Sequence, residues 1–471
     1  MNKHPFSLIL AFTIGLFPGF ITAQVPESQK FAGNWSGKPE IPAVKLEMIF
    51  KISMDETGKL ISTMDVPAQG AKDLTVTETS VNGDSLKLSV GMIMGKFEGK
   101  LICDTIVEGM WTQRGVRLPL TLKKVAVITE QKRPQTPKEP FPYVTEEVEY
   151  VNPASGLKLA GTLTVQENAK NCPAVILITG SGAQDRDETI FEHRPFAVIA
   201  DFLTRNGVAV LRVDDRGVGG SEGNLTEATS EDFATDVMAG IQFLKLKKPI
   251  NAGKIGLIGH SEGGLVAPMV AVKTNDVAFI VLLAGPGVKG EEILYAQNDL
   301  VLAAAGMDRD VIDRNRQLQK AIFDILLNEK DSVKKIDRLR RTYSGGMYPM
   351  LNDEQKKAID MQVNAVNNRW FCFFLSYDPY PTLTQVKCPV LALNGAKDVQ
   401  VPALQNLEAV QKALAEGGNG SFTTIQLENL NHLFQHCKTG AVAEYGQIEE
   451  TISQEVLEIV NEWIQEVVQK N

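Results

Sequence analysis

The chain has 471 residues, 44% hydrophobic and 22% charged, the make-up of a folded protein with room for more than one core. That excludes a disordered, collagenous or disulfide-scaffold chain. A formal net charge of -9 argues against nucleic acid as a partner, because such binders need a basic surface to displace counterions from phosphates.

The first 23 residues hold Lys3, an apolar run from Leu8 to Ile21, and Ile21-Thr22-Ala23 before Gln24, the three-part pattern of a secretory signal peptide. Cleavage after Ala23 is expected, with export to the periplasm or the medium. An uncleaved anchor is the alternative, but Pro18 and Gly19 interrupt a run already short for a bilayer span. No cysteine stands near the cleavage point to carry a lipid, and no later stretch reaches about 18 apolar residues, so no stable membrane insertion is expected after cleavage. The five cysteines (Cys103, Cys172, Cys372, Cys388, Cys437) are scattered without CxxC spacing. They read as small buried hydrophobes with at most one incidental disulfide.

From Phe31 to Val125 short alternating segments are split by turns: Leu46 to Ile52, Leu60 to Val66, Leu74 to Thr79, Leu86 to Met92, Lys96 to Ile102, Ile106 to Trp111 and Leu118 to Val125. Asn82-Gly83-Asp84 is a hairpin signal. Some seven strands at this spacing predict a small antiparallel sandwich or barrel over residues 24–130. Gly33-Asn34-Trp35 resembles the Gly-x-Trp of lipocalin-like barrels. Without a charged or histidine cluster, this region reads as an accessory domain for packing or docking, its partner open.

Residues 131–142 hold Pro134, Pro137, Pro140 and Pro142, a composition that favours extended polyproline II and marks a linker. From residue 143 to 471 apolar strands alternate with helical periodicity: Ala174 to Thr179, a helix with Phe196, Ile199, Ala200 and Leu203, then Val208 to Val213 and a helix with Phe233, Val237, Ile241 and Leu244. Ile255 to Ile258, another helix and Phe279 to Ala284 follow. Such alternation predicts a mostly parallel sheet covered on both faces. A helical stretch over about 288–385, with Leu318, Ile322 and Ile325 at helical spacing, reads as a lid. The alternation resumes at Val390 to Leu393 and Thr423 to Leu427, and closes in an amphipathic helix carrying Ile452, Val456, Ile459, Val460 and Trp463.

Gly259-His260-Ser261-Glu262-Gly263 follows a strand and precedes a helical run, the context in which GxSxG becomes a nucleophile elbow. The glycines let backbone pack closely around a strained serine, whose hydroxyl then rises above the sheet edge. Pro268 in the following helix predicts a kink or an early end.

A serine hydroxyl needs a base, and the chain has five histidines. His4 leaves with the signal peptide, His193 precedes the serine, and His260 adjoins it and points elsewhere. His432, in the loop after the last strand, is the candidate, with His436 as fallback. Asp398, after Leu393-Asn394-Gly395, is the orienting acid; its alternative is to cap the helix after Pro402. The amide of Glu262 should be one oxyanion donor, with Ser181 or, second, Gly182 of Thr179-Gly180-Ser181-Gly182 as the other. Asp214-Asp215-Arg216-Gly217 reads first as a tight turn.

The order serine, aspartate, histidine on alternating strands resembles the α/β-hydrolase family. Gly180 to Asp187, Asp215-Arg216-Gly217, Gly259 to Gly264 and Leu393 to Asp398 resemble its bacterial esterase branch, close to sequences grouped with serine aminopeptidases. The resemblance runs from about Glu146 to the C-terminus and implies ester hydrolysis without a metal or organic cofactor. The chain has Thr179-Gly180 where a His-Gly pair is common in the superfamily, which leaves the second oxyanion donor open. The expectation is an exported carboxylesterase acting on a small-molecule ester. A peptidase or amidase using Asp185, Asp187 and Glu188 to hold an amine terminus is the alternative, and a non-catalytic glycan or envelope binder a third reading.

Overall fold

The computed structural model describes residues 27–39, 46–113, 116–126 and 132–470; the signal-peptide segment lies outside them. Alternation with a period of two builds the first sheet. In one strand Leu86, Leu88 and Val90 are buried while Ser85, Lys87 and Ser89 are partly exposed. The strands are β1 (Gly33–Gly37), β2 (Met48–Met54), β3 (Leu60–Val66), β4 (Ala71–Thr75), β5 (Glu78–Asn82), β6 (Ser85–Val90), β7 (Gly95–Cys103), β8 (Ile106–Gln113) and β9 (Val116–Val125). They pair antiparallel in the order β4-β3-β2-β1-β9-β8-β7-β6-β5. Val76 N donates to Ser62 O at 3.1 Å and Thr77 N to Ser89 O at 2.7 Å, so the link between β4 and β5 touches both ends of the sheet and curls it into a half-barrel. Its interior is filled by Trp35, Phe50, Phe97 and Trp111, with Phe50 6.3 Å from Phe97 and 6.2 Å from Trp111.

Two details differ from the sequence reading. Leu74 to Thr79 is not one strand: the chain turns over at Val76-Thr77, burying Val76, and starts β5. Gly33-Asn34-Trp35 opens a strand of its own, β1, with Trp35 inward and its indole donating to Phe31 O at 2.7 Å.

The second sheet begins with β10 (Val144–Val151) and β11 (Lys158–Val165), an antiparallel pair that the sequence reading lacks. Then come β12 (Cys172–Ile178), α1 (Pro195–Arg205), β13 (Ala209–Val213), α2 (Ser230–Lys245), β14 (Ile250–His260), α3 (Gly263–Ala271) and β15 (Phe279–Leu283). Six helices intervene: α4 (Gly290–Ala304), α5 (Arg309–Asn328), α6 (Ser332–Ser344), α7 (Asp353–Val366), α8 (Arg369–Ser376) and α9 (Tyr380–Leu383). The chain closes with β16 (Val390–Gly395), α10 (Ala403–Glu416), β17 (Phe422–Leu427), α11 (Val442–Tyr445) and α12 (Gln454–Lys470).

The order is β10-β11-β13-β12-β14-β15-β16-β17, parallel from β13 onward. Alternate residues of each inner strand serve opposite layers. Ile176, Leu257 and Ala392 pack under α2, α3 and α10, whereas Val175, Leu177, Ile258 and Leu391 pack under α1 and α12. Strand order reverses between β12 and β14, which puts a crevice at their carboxyl ends. Among the lid helices Ile322 and Ile325 are buried as expected, but Leu318 is exposed. No helix among the described residues is long and apolar enough to cross a membrane.

The proline-rich segment is pinned to the second sheet's loops. The Arg133 guanidinium donates to the carbonyls of Phe191, Gly446 and Ile448 at 2.8, 2.9 and 2.9 Å, and Gln135 bonds both Ile452 O and Thr451 N. Gly70, beside β4, and Gly446 both lie against the Phe191 ring, so the half-barrel and the second sheet meet at that loop.

Candidate active site

Ser261 lies at the turn from β14 to α3 with φ 52°, a left-handed conformation costly for a residue with a side chain. Two glycines make the turn feasible. A Cβ on Gly259 would lie 2.0 Å from Gly263 O, and one on Gly263 would lie 2.1 Å from Ile178 O. The helix runs three residues beyond Pro268 to Ala271 instead of ending at it.

Asp398 and His432 stand on the loops after β16 and β17, both buried. Asp398 Oδ2 accepts from His432 Nδ1 at 2.7 Å, while Oδ1 accepts from the amides of Gln400 and Val401 at 2.8 and 2.9 Å. One oxygen thus closes the turn at Gln400-Val401 and the other meets His432, whereas the helix after Pro402 has no side-chain cap and is not capped by Asp398. With Nδ1–H directed at a carboxylate, His432 Nε2 is left as the basic nitrogen. Neither Nε2 nor the Ser261 hydroxyl has a hydrogen-bond partner among the described residues, each other included. Catalytic hydrogen bonds often tighten only when substrate binds.

The other histidines are occupied elsewhere. His436 is exposed and bonds Glu450, which removes the fallback. Buried His193 bonds Thr451 and Tyr445 O, and desolvation pushes its pKa down to about 4.

The loop after β12 lies against the elbow: a Cβ on Gly180 would be 3.2 Å from Ser261 Cβ. The Gly180 amide is spent on Glu188 Oε1 at 2.6 Å. The amides of Ser181, Gly182 and Glu262 have no acceptor among the described residues, so the three sequence-predicted donors remain available. Asp215 shapes this loop, accepting from Thr179 Oγ1 at 2.7 Å and Gln184 N at 3.0 Å. Burial, reinforced by the charges of Glu188 and Glu262, pushes its carboxyl up to about 7 against those hydrogen bonds.

The acids considered for an amine terminus are all engaged. Asp185 closes its own turn through Asp187 N, Thr189 N and Thr189 Oγ1. Buried Asp187 pairs with Arg194 and Arg212, and Glu188 holds Gly180 N and His260. Asp214 binds Arg186 and the Gly220 amide, and Arg216 binds Asp236, so that motif is structural apart from Asp215.

Sequence reasoning missed Trp370 on α8 and Ser230, both donors to the buried Glu262 carboxylate. Ser230 arrives at the start of α2 and Trp370 on the lid helix α8, so both contacts depend on tertiary packing that no local motif encodes. All five cysteines are free, so no incidental disulfide forms. Among the described residues no group of three or more His, Cys, Asp or Glu is placed to hold a metal ion.

This topology, with an elbow serine and a buried His–Asp pair on successive strand ends, defines an α/β-hydrolase. The family profile described as X-Pro dipeptidyl-peptidase (S15 family) matches residues 125–434, well over half of the chain, and the chain belongs to that family. It is similar to Esterase EstD of Thermotoga maritima, 24% identical over 275 residues; the match spans 58% of this chain and 58% of that relative's length. Among solved structures it is similar to the α/β-hydrolase GrgF from Penicillium sp. sh18, at 18% identity, 69% of this chain, 98% of that one and a TM-score of 0.42. The Pyrococcus furiosus esterase PF2001 is similar at 17% identity, 73% of this chain, 98% of that one and a TM-score of 0.42.

Proposed function

We propose that the chain is an exported serine carboxylesterase acting on small-molecule esters through Ser261, His432 and Asp398. The observation that carries this is the buried 2.7 Å bond from His432 Nδ1 to Asp398 Oδ2, on loops neighbouring the Ser261 elbow. Similarity to an esterase over 275 residues supports the substrate class.

In this mechanism His432 Nε2 takes the Ser261 proton as Oγ bonds to the ester carbonyl carbon. The tetrahedral oxyanion receives the amide of Glu262 and that of Ser181 or Gly182. The C–O bond to the alcohol breaks, and His432 returns the proton to the departing alkoxide oxygen. Water, deprotonated by the same Nε2, attacks the acyl-enzyme; the acid leaves and the proton returns to Ser261. Asp398 stays ionised and stabilises the imidazolium.

A peptidase or amidase reading draws on the family description, X-Pro dipeptidyl-peptidase. It lacks the acids first considered for amine capture, since Asp185, Asp187 and Glu188 are held by backbone amides, arginines and His260. The deciding assay is turnover of p-nitrophenyl acyl esters beside aminoacyl anilides, with Ser261→Ala as control. Ester turnover lost in the mutant supports the esterase; turnover of anilides alone overturns it. Export rests on the leader alone, and fractionation of cells expressing the full chain, with the N-terminus of the product read directly, tests cleavage after Ala23.

A further inference from the structure

His260, next to the nucleophile, has a buried ring with an acceptor at each nitrogen. Nε2 lies 2.9 Å from the main-chain oxygen of His432, and a carbonyl has no proton to give, so Nε2 carries one. Nδ1 lies 2.9 Å from Glu188 Oε1. That same oxygen accepts the Gly180 amide at 2.6 Å, a hydrogen bond that favours the ionised carboxylate, and opposite an ionised Glu188 Nδ1 carries the second proton. A ring that donates on both sides is an imidazolium.

We infer that His260 is held as an imidazolium paired with the Glu188 carboxylate, and that this buried pair is a positioning device fastening the oxyanion loop to the loop of the general base. The bonded path runs Gly180 N, Glu188, His260, His432 O, and joins the carboxyl ends of β12, β14 and β17. These are the three places from which oxyanion donor, nucleophile and base must converge, and small misplacements there cost rate steeply. Glu188 is itself set at φ 52° with its amide on Asp185 O at 2.9 Å, an unfavourable backbone state that the surrounding bonds maintain.

Desolvation alone would strip the ring of its charge. The Glu188 charge and hydrogen bond, the His432 carbonyl and the Asp398 charge outweigh that and raise its pKa. The ring centre lies 4.8 Å from that of His432, tilted by 47°, and 6.4 Å from that of Phe434 in a T-shaped contact. Glu188 and His260 touch no reacting atom in this scheme; they act through Gly180 and His432.

The inference rests on the proposed role of His432, and its test separates the two. Side-chain 15N–1H correlation spectra of the full chain, with His260 assigned by comparison with His260→Gln, report whether each nitrogen carries a proton. Both His260 nitrogens should be protonated from pH 6 to pH 8; an unprotonated nitrogen at pH 8 overturns the ion pair. The isosteric Glu188→Gln removes the charge with the shape retained. Its His260 should be neutral at pH 8, and kcat should fall about 10- to 100-fold with KM within about threefold, by the scale of misplacement effects. Unchanged kcat with a neutral His260 overturns the positioning role. Ser261→Ala that keeps full ester turnover would instead defeat the triad reading, and leave the spectral result on the pair standing.

Discussion

The indole Nε1 of Trp370 donates to both carboxylate oxygens of Glu262, at 2.8 and 3.0 Å, and so joins the lid to the residue that follows the elbow serine. Burial raises the Glu262 pKa, while hydrogen bonds from Ser230 and Trp370 pull it back toward ionisation. Trp370 stacks on Phe374 at 5.5 Å, which continues the contact into the lid.

Trp370→Phe should therefore keep the stacking and lose the donor. Leaving a buried carboxylate short of one partner costs about 1–3 kcal/mol. Thermal unfolding should move down by a few degrees, and proteolysis within residues 288–385 should quicken. Equal melting and equal cleavage rates would show that the lid is held by packing alone.

Asp398→Asn is a clean test of tautomer control. The oxygen of the introduced side-chain amide can still accept from Gln400 N and Val401 N, so the turn survives, while its NH2 faces His432 Nδ1 and forces the proton to Nε2. The loss in kcat should approach about 10⁴-fold, by analogy with the same exchange in a serine protease triad. A loss under tenfold, measured with p-nitrophenyl esters, would remove Asp398 from the mechanism.

Arg133→Ala removes the guanidinium by which the proline-rich segment holds three carbonyls in the loops of the second sheet. Charge-assisted bonds of this kind support a destabilisation on the order of 3 kcal/mol. Calorimetry should show a lower transition. Deleting residues 24–142 should also lower the activity of what remains, because the Gly446 loop adjoins Tyr445, whose hydroxyl accepts from Gln400 at 3.1 Å beneath Asp398. Full activity and stability after that deletion would reduce the half-barrel to a passenger.

Asp215 makes a prediction about pH. Its folded pKa, about 7, exceeds its ordinary value of 3.8, so its protonated form favours folding; that contribution is complete below about 4 and is lost as pH rises toward 7. Asp215→Asn removes this titration. The difference in melting temperature, variant minus wild type, should grow in favour of the variant between pH 4 and pH 7. A flat difference would mean that Asp215 titrates normally.

The sharp turn at Ser261 and the loops that bring Asp398 against His432 were legible because each sits where a strong local pattern ends: an apolar strand, then a glycine turn or a loop. The Gly180-Ser181-Gly182 loop beside the elbow was legible for the same reason. The antiparallel pair β10 and β11 was not, because β10 is an edge strand carrying Glu146, Glu147 and Glu149, so its alternation is masked by charges suited to an open edge. Leu74 to Thr79 misled because its residues have strand propensity on both sides of a crossing that only the curl of the sheet dictates. Position alone says that His260 points away from the serine. It does, but toward Glu188, 72 residues earlier in the chain, a partner that no spacing rule could supply.

The lid leaves the sheet after Leu283 and returns at Val390, on strands that lie side by side, Leu283 opposite Leu393. The strands are parallel, so the return at Val390 lies opposite Ile280 and the two ends are held about one strand length apart by the sheet; lengthening or replacing the segment between them adds only a slowly growing entropy of closure. The segment can therefore be exchanged as a cassette while the order of the sheet stays intact, provided the incoming segment again offers a donor to Glu262.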